Sequence, residues 1–535
     1  MPPCVIFEDE HLLVVNKPAG WNTHAPSPYA GEGIYDWLRH REPRWASLAI
    51  IHRLDKETSG VLVFGKTPLA NKSLTGQFTA REVHKKYLLL TDREVPNKQF
   101  TVTTKIARAG ERSITSPHGE PAETHFLVGD DVRSLKSNRP DKSETPHVVS
   151  YKALTAAPLT GRTHQIRVHA AESGCPILGD VLYGGSPFHR VCLHAAEISF
   201  THPATGKPVT FTAPADFAAD THAALRAAII EPDQTDACRL LHSASDGWPG
   251  WFVDRLGEYL LSQGEKPLSL AQKSLLEQQS ARGVYHKLLN RRVQKSSTAE
   301  TSPRLALGEP APEKFFIREN GVKFELGFAE GYSTGLFLDQ RDNRRRFLTG
   351  HIAATFNFQP ATCNLLNCFA YSCGFSVCAA LAGAKTTSLD LSKKYLEWGK
   401  RNFALNGLDP AAHDFVFGDT FDWLKRFAKK GRAFDAIVLD PPTFSRSKES
   451  GVFQTEKDYG KLVKAALRVL KPDGVLLAST NTATLAPEDF LADVTAAIRA
   501  SGRRVLKQHY VPQPPDFPIT RDEPGYLKTV WLRIG

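Results

Sequence analysis

Three short segments place acids where a fold could use them. In Ile51-His52-Arg53-Leu54-Asp55-Lys56-Glu57-Thr58-Ser59-Gly60, the carboxylate of Asp55 lies between Arg53 and Lys56. The apolar run Leu48-Ala49-Ile50-Ile51 precedes it and the strand-like Val61-Leu62-Val63-Phe64 follows. An acid on a polar loop between two apolar segments is where a catalytic group can be held rigidly. Much later, Asn364-Leu365-Leu366-Asn367-Cys368-Phe369-Ala370-Tyr371-Ser372-Cys373-Gly374 reads as strand, turn and helix start, and Asp390 ends a second strand about sixteen residues after Gly374. An acid there is placed to bind the ribose diol of a nucleoside cofactor. The turn carries one glycine rather than the G-x-G-x-x-G that lets a pyrophosphate approach, so a dinucleotide is disfavoured and S-adenosylmethionine is the expected cofactor. The third segment, Phe434-Asp435-Ala436-Ile437-Val438-Leu439-Asp440-Pro441-Pro442-Thr443-Phe444, follows a fourth strand. A loop of this kind can present backbone carbonyls and a planar ring to a flipped base.

Positioning these groups takes more than one core. At 535 residues, two to four domains are expected. Residues 1–228 read as short β segments with Gly/Pro turns, a mixed β-rich domain. After a polar linker at 231–236, residues 237–343 read as a small α+β domain, and residues 344–535 alternate apolar strands with helical patterns, the signature of a doubly wound, Rossmann-like domain. The expected fold class is thus multidomain α/β and α+β. Two polar tracts, 130–147 and 291–313, predict an insertion and a loop.

Composition is that of an ordinary globular chain, 41% hydrophobic and 23% charged. No apolar run approaches the roughly eighteen residues of a membrane span. The start, Met1-Pro2-Pro3-Cys4-Val5-Ile6-Phe7-Glu8, lacks a basic n-region, so no signal peptide and a cytoplasmic home are expected. A net charge of +10 favours acidic partners. Among eight cysteines, Cys363, Cys368, Cys373 and Cys378 are evenly spaced. An odd separation along a strand sends side chains to opposite faces, and no C-x-x-C pair is present, so buried thiols are expected and no metal site.

The Asp55 loop resembles the signature of the RluA-type pseudouridine synthases. The resemblance continues in order through 7–20, Arg81-Glu82-Val83-His84-Lys85-Lys86-Tyr87, Thr160-Gly161-Arg162-Thr163-His164-Gln165-Ile166-Arg167-Val168-His169, Leu178-Gly179-Asp180-Val181-Leu182-Tyr183-Gly184-Gly185 and Leu193-His194-Ala195. It implies an isomerase that breaks the bond between ribose and uracil N1 and rejoins the ring through C5, without a cofactor. Asp55 would be the catalytic carboxylate, Arg167 its ion-pair partner, Tyr87 the ring packed on the flipped uracil, and Arg53 the residue filling the gap left by the base. Arg162 and His164 would contact RNA phosphates or order a loop. The S4-type RNA-binding domain common in this family has no counterpart ahead of Phe7, so targeting would fall to the middle domain.

The second and third domains together, 237–535, resemble the RlmI/RlmK-type 23S ribosomal RNA methyltransferases. The resemblance rests on Ser333-Thr334-Gly335-Leu336-Phe337-Leu338-Asp339-Gln340-Arg341-Asp342-Asn343-Arg344, Lys394-Tyr395-Leu396-Glu397-Trp398, Arg401-Asn402-Phe403-Ala404-Leu405-Asn406-Gly407-Leu408 and the Asp440 loop. It implies that Asn367, Phe369, Tyr371, Gly374, Asp390, Asp419 and Asp440 surround S-adenosylmethionine, and that Pro441, Pro442, Thr443 and Phe444 meet the base, Phe444 by stacking.

The last three matching pieces look closest to the branch that makes 7-methylguanosine. Methylating cytosine C5 needs a cysteine nucleophile after the fourth or fifth strand, and here Thr443 and Asn481 stand there. Guanine N7 is therefore expected over N2 and over cytosine C5. The expected partner is RNA, 23S rRNA or a large-subunit assembly intermediate, with no membrane and no obligate protein partner. A monofunctional synthase whose C-terminal half only binds RNA is the main alternative, and a dinucleotide oxidoreductase is disfavoured by the turn.

Overall fold

Strand Ser59–Gly65 is buried along its whole length and carries the Asp55 loop at its start. The computed structural model describes residues 1–95, 97–133, 150–289, 302–331, 333–447, 451–520 and 523–535. They form two units, one of 1–26, 32–37 and 47–230, the other of 27–31, 38–46 and 231–535.

The first unit is built on one mixed sheet. Its strands run Val5–Glu8, Leu12–Lys17, Ser59–Gly65, Leu193–Thr201, His84–Thr91, Ser150–Pro158, Glu120–Arg133, Gln99–Ala109 and Arg112–Thr115 in spatial order. Ala49–Ile50 pairs with Ser59–Gly65, and Pro208–Thr212 with Leu193–Thr201. The first two strands make the expected opening hairpin. Two strands are not short: Glu120–Arg133 has 14 residues and Gln99–Ala109 has 11. Period-2 alternation explains the second as far as Ile106, with the even-numbered positions 100–106 turned inward and the odd ones 99–105 wet. Of the 130–147 tract, 130–133 end a strand and 134–147 lie outside the described residues.

One contact in this sheet fixes the site. Ser59–Gly65 runs parallel to Leu193–Thr201, with Ser59 opposite His194 and Gly60 opposite Ala195. Gly60 has φ +118°, and a Cβ there would lie 2.2 Å from the Ala195 carbonyl oxygen. Only glycine lets the two strands close at this point. Leu12, Val14, Val61, Val63, Leu74 and Ile198 pack the core beside it.

The second unit holds two larger sheets. One has the strands Ala237–His242, Trp251–Leu256, Tyr259–Gly264, Gly283–Leu288 and Arg304–Gly308. The last corrects the reading of 291–313 as a loop: residues 304–308 pair antiparallel with Gly283–Leu288. An edge strand is satisfied by one neighbour and tolerates polar residues, so its sequence looks like loop. Residues 291–301 lie outside the described residues.

The other sheet has the order Asp414–Phe417, Lys385–Asp390, Asn364–Cys368, Phe434–Leu439, Leu470–Thr480, Lys528–Ile534 and Val505–Val511. Its first four pairings are parallel and the last two antiparallel. Leu365, Leu366, Ile437, Val438, Leu476 and Leu477 are all essentially inaccessible, as expected where helices cover both faces. This is the doubly wound architecture expected of the C-terminal part of the chain. Strand order reverses at Asn364–Cys368, between the turn beginning at Phe369 and the Asp440 loop, and ligands bind at such a switch point. All eight cysteines are buried thiols outside any disulfide. Among the described residues, no helix is long and apolar enough to cross a membrane.

Candidate active sites

In the first unit Asp55 lies in the loop between Ala49–Ile50 and Ser59–Gly65, its backbone carbonyl accepting from the Thr58 amide at 3.2 Å. Its side chain keeps a quarter of its surface exposed, and its Oδ2 stands 4.0 Å from Arg167 Nη1. Arg167 rises from helix Gln165–Glu172 and is buried. Its closer partner is Asp180, which accepts from Nε and Nη2 at 2.7 Å each, a bidentate pair inside the protein. Nη1 also reaches Glu57 at 3.3 Å. The expected Asp55–Arg167 pairing is present as a long contact, and the arginine is aimed by Asp180.

Burial raises the Asp55 carboxyl, opposed by His164 and Arg167. Burial also lowers the His164 imidazole, so near neutral pH the lasting positive charge beside Asp55 belongs to Arg167. His164, at φ +57°, caps the same helix, and its Nδ1 lies 2.8 Å from the Tyr183 hydroxyl. That hydroxyl accepts from the Ser113 amide at 2.7 Å, and the Arg167 guanidinium lies 5.1 Å from the Tyr183 ring centroid. Tyr87, on His84–Thr91, pairs with Ala195 across from Gly60, and burial followed by Asp55 raises its hydroxyl. The loop is anchored from behind by Lys17. Its wholly buried ammonium donates to the carbonyls of Pro18, Trp21 and Lys56 at 3.0, 2.7 and 3.2 Å, and burial lowers it to about 7.

Thus Asp55, Tyr87, Arg167 and His164 converge. Arg53 is exposed. Arg162 turns to strand Glu120–Arg133, pairing with Glu120 and donating to the Pro121 carbonyl at 3.2 Å. Sequence reasoning assigned no role to Asp180, Tyr183, Lys17 or Glu57, although all four lie in blocks singled out above.

In the second unit the switch-point turn is left-handed at three residues that are not glycine: Phe369, Tyr371 and Cys373, with φ of 59°, 48° and 63°. Such residues cost about 1 kcal/mol or more each and persist where surrounding bonds over-determine them. Here Ala370 and Cys373 donate to the carbonyls of Leu389 and Ala370, and the Tyr371 amide donates to Asp390 at 2.8 Å. Asp390 also accepts from the Ser392 amide at 2.8 Å, and burial raises its carboxyl against these bonds. Gly374 opens the helix Gly374–Leu381. Asn367 is buried away from the turn, donating to Ser376 Oγ at 2.9 Å, and Ser388 joins that hydroxyl cluster at 2.8 Å. Asp419 caps helix Thr420–Lys429 by accepting from the Asp422 amide at 3.1 Å. Phe369, Asp419, Thr420, Ser445 and Phe453 help line an open cavity of about 360 Å³.

Asp440 follows Phe434–Leu439. Gln340 donates to its Oδ2 at 3.2 Å and to Ser479 Oγ at 2.8 Å, and burial raises the Asp440 carboxyl to about 6, helped by Asp339. Pro441 is buried, whereas Pro442, Thr443 and Phe444 are exposed. The sequence suggested a plain loop with open carbonyls. Instead, Phe444–Ser447 pairs with Gly451–Gln454, and the Pro442 and Thr443 carbonyls accept from Thr455 Oγ1 and N at 3.2 and 3.1 Å. Each carbonyl retains one lone pair.

Residues 11–172 match the RNA pseudouridylate synthase family, and residues 268–533 match the S-adenosylmethionine-dependent methyltransferase family. The ribosomal RNA large subunit methyltransferase of Deinococcus radiodurans is 36% identical over 328 residues, 59% of this chain and 78% of that protein. Ribosomal RNA large subunit methyltransferase K of Neisseria meningitidis serogroup B is 40% identical over 185 residues, 34% of this chain and 50% of its own. Ribosomal large subunit pseudouridine synthase C of Yersinia pestis is 37% identical over 227 residues, 40% of this chain and 66% of its own. The chain belongs to the S-adenosylmethionine-dependent ribosomal RNA large subunit methyltransferase family and carries an RNA pseudouridylate synthase domain ahead of it. It is therefore an enzyme with an isomerase part and a transferase part.

S-adenosylmethionine is the cofactor of the transferase part, and the residues present fit it. The Asp390 carboxylate takes amides from Tyr371, Ser392 and Leu391, and with about four acceptor sites it can still receive a ribose hydroxyl. Leu391 beside it is 44% exposed and offers an apolar face.

Proposed function

We propose that this enzyme modifies two bases of large-subunit ribosomal RNA, isomerising uridine to pseudouridine at Asp55 and methylating guanine N7 at the Asp440 loop. The observation that supports it most is that each unit carries its own complete cluster of titratable groups. In this reading 1–228 form the synthase domain, 237–343 an RNA-binding domain and 344–535 the methyltransferase domain. The substrate is 23S rRNA or an assembling large subunit in the cytoplasm, with no obligate protein partner.

At the first site Asp55 must act ionised, and Arg167, aimed by Asp180, holds it so. The carboxylate bonds to ribose C1′ or stabilises a glycal-like species while the bond to N1 breaks with its electron pair on the uracil. The ring turns beside Tyr87 and bonds to C1′ through C5 as the carboxylate is released. The C5 proton is then lost, moved with the help of the Tyr87 hydroxyl, and N1 takes up a proton, so the base ends neutral. Arg53, exposed next to Asp55, is free to enter the space the base leaves. Arg162 and His164 order the loop and meet phosphates.

At the second site the bound cofactor supplies an electrophilic methyl group. Asp390 and Asp419 hold its nucleoside end, together with Phe369, Tyr371 and Gly374 of the turn. Asn367 supports the turn from within. Asp440, Pro441, Pro442 and Thr443 shape the base end, and Phe444 stacks on the base. N7 already presents a lone pair, so positioning supplies most of the rate. A second reading, N2 of guanine, is favoured by the Asp440 carboxyl as an acceptor for an amine proton. Cytosine C5 is opposed by the burial of every cysteine; burial pushes the Cys363 and Cys373 thiols up to about 12.

Titrating S-adenosylmethionine into the whole chain tests the transferase reading against a half that only binds RNA. Heat should be released, and lost in Asp390→Ala. Absence of binding to the unaltered chain sinks the reading.

A further inference from the structure

Asp339 is a half-buried acid that the mechanism above leaves unused. It lies in the short turn Leu338–Gln340 ahead of helix Arg341–Thr349, and the Tyr526 hydroxyl donates to its Oδ2 at 3.0 Å. The next residue, Gln340, is the one that grips Asp440 and Ser479. Gln340 is fixed in turn by Asn343, which donates to it at 2.7 Å and accepts from the Trp531 indole at 2.9 Å. Consecutive residues thus carry one carboxyl and orient the other at the base end of the switch point.

The guanidinium groups around this pair are committed elsewhere. Arg344 holds Glu319 through bonds of 2.6 and 2.7 Å, Arg341 holds Asp516 at 2.6 and 2.9 Å, and Arg239 holds Asp254 at 2.6 Å. Among the described residues, no cationic side chain lies within 4.0 Å of Asp339 or Asp440. Burial raises both carboxyls, and Asp339 adds to the rise at Asp440. Arg344 eases both carboxyls and Arg239 eases Asp339 from beyond pairing distance, yet burial still raises both. Two half-buried acids without a paired cation cost stability. Such a cost makes sense at a site where positive charge arrives with the reactants.

We propose that Asp339 is a second catalytic carboxylate of the methyl-transfer site, forming with Asp440 a negative pocket for the charge that methyl transfer delivers to the base. This rests on the reading above that a base nitrogen is methylated. The nitrogen lone pair forms the new N–CH₃ bond while the CH₃–S⁺ bond breaks, its electron pair staying on sulfur. The positive charge moves onto the base, and where that nitrogen carries hydrogen its proton leaves to a carboxylate. Preorganised negative groups at the place where positive charge develops lower the barrier without reorganising.

The test uses Asp339→Asn in the full chain, with S-adenosylmethionine and S-adenosylhomocysteine titrated separately by calorimetry. One ligand carries a sulfonium and the other a neutral sulfur, so a merely structural role moves both alike. The expected result is an affinity loss of about 10-fold for the cationic ligand and under about 2-fold for the neutral one. Methyl transfer to rRNA should fall by about 10²-fold, with pseudouridine formation on the same RNA unchanged. Equal weakening of both ligands, or methyl transfer within about 2-fold of the unaltered chain, overturns the role of Asp339 alone. An unaltered chain that binds both ligands but methylates no rRNA overturns the functional reading, and the inference with it.

Discussion

Asp440 should trade stability for activity, and the size of the trade follows from its surroundings. Burial, with Asp339 nearby, raises its carboxyl to about 6, whereas an unfolded chain ionises aspartate near 3.9. Each pH unit of that gap is worth about 1.4 kcal/mol, which sets a ceiling of about 3 kcal/mol. Asp440 is not fully enclosed, and solvent screening brings the expectation to about 1–2 kcal/mol. The folded state keeps its proton longer than the unfolded state does. The penalty is therefore fully present above about pH 6 and fades as pH falls from there toward the unfolded value. Asp440→Asn keeps an acceptor for Gln340 but removes the charge. It should stabilise the second unit by about 1–2 kcal/mol at pH 7.5 and by almost nothing near pH 4, while methyl transfer falls by about 10²-fold. The assay is urea unfolding of the full chain at both pH values, following the transition that S-adenosylmethionine shifts. A variant that is neutral or less stable at pH 7.5, or whose gain is the same at both pH values, refutes the reasoning.

In the unaltered enzyme, methyl transfer should drop as pH falls through about 6, as Asp440 takes up its proton, while the neutral-pH rate stays flat; stopped-time assays across pH 5–8 check this. Asp180→Ala leaves the buried Arg167 without its bidentate partner and should cost the first unit about 3–5 kcal/mol, read by thermal melting, together with pseudouridine formation. Tyr87→Phe removes only a buried hydroxyl. It should slow pseudouridine formation by about 10²-fold in single-turnover assays while thermal melting moves little.

What the sequence disclosed and what it hid divide along distance. The Asp55 loop, the strand–turn–helix at Asn367 to Gly374 and the Asp390 strand end are patterns within about twenty residues, and apolar periodicity places them directly. Asp180 was visible as a residue but not as a partner, because Arg167 meets it across a helix and a loop. Lys17 binds the Lys56 carbonyl 39 positions away, and Gln340 reaches Asp440 100 positions away. No local pattern encodes such pairs. Asn367 illustrates the opposite case: its position suggests the cofactor, whereas strand parity turns its amide inward to Ser376. Strand Arg304–Gly308 was hidden because its regularity comes from Gly283–Leu288 rather than from its own residues.

The most direct test is nucleoside mass spectrometry of rRNA from cells lacking this protein, after complementation with the unaltered chain, Asp55→Ala or Asp440→Asn. The unaltered chain should restore one pseudouridine and one methylated guanosine. Asp55→Ala should restore only the methyl mark, and Asp440→Asn only the pseudouridine. Loss of both marks in either variant, or restoration of both, would contradict two independent base-modifying centres on one polypeptide.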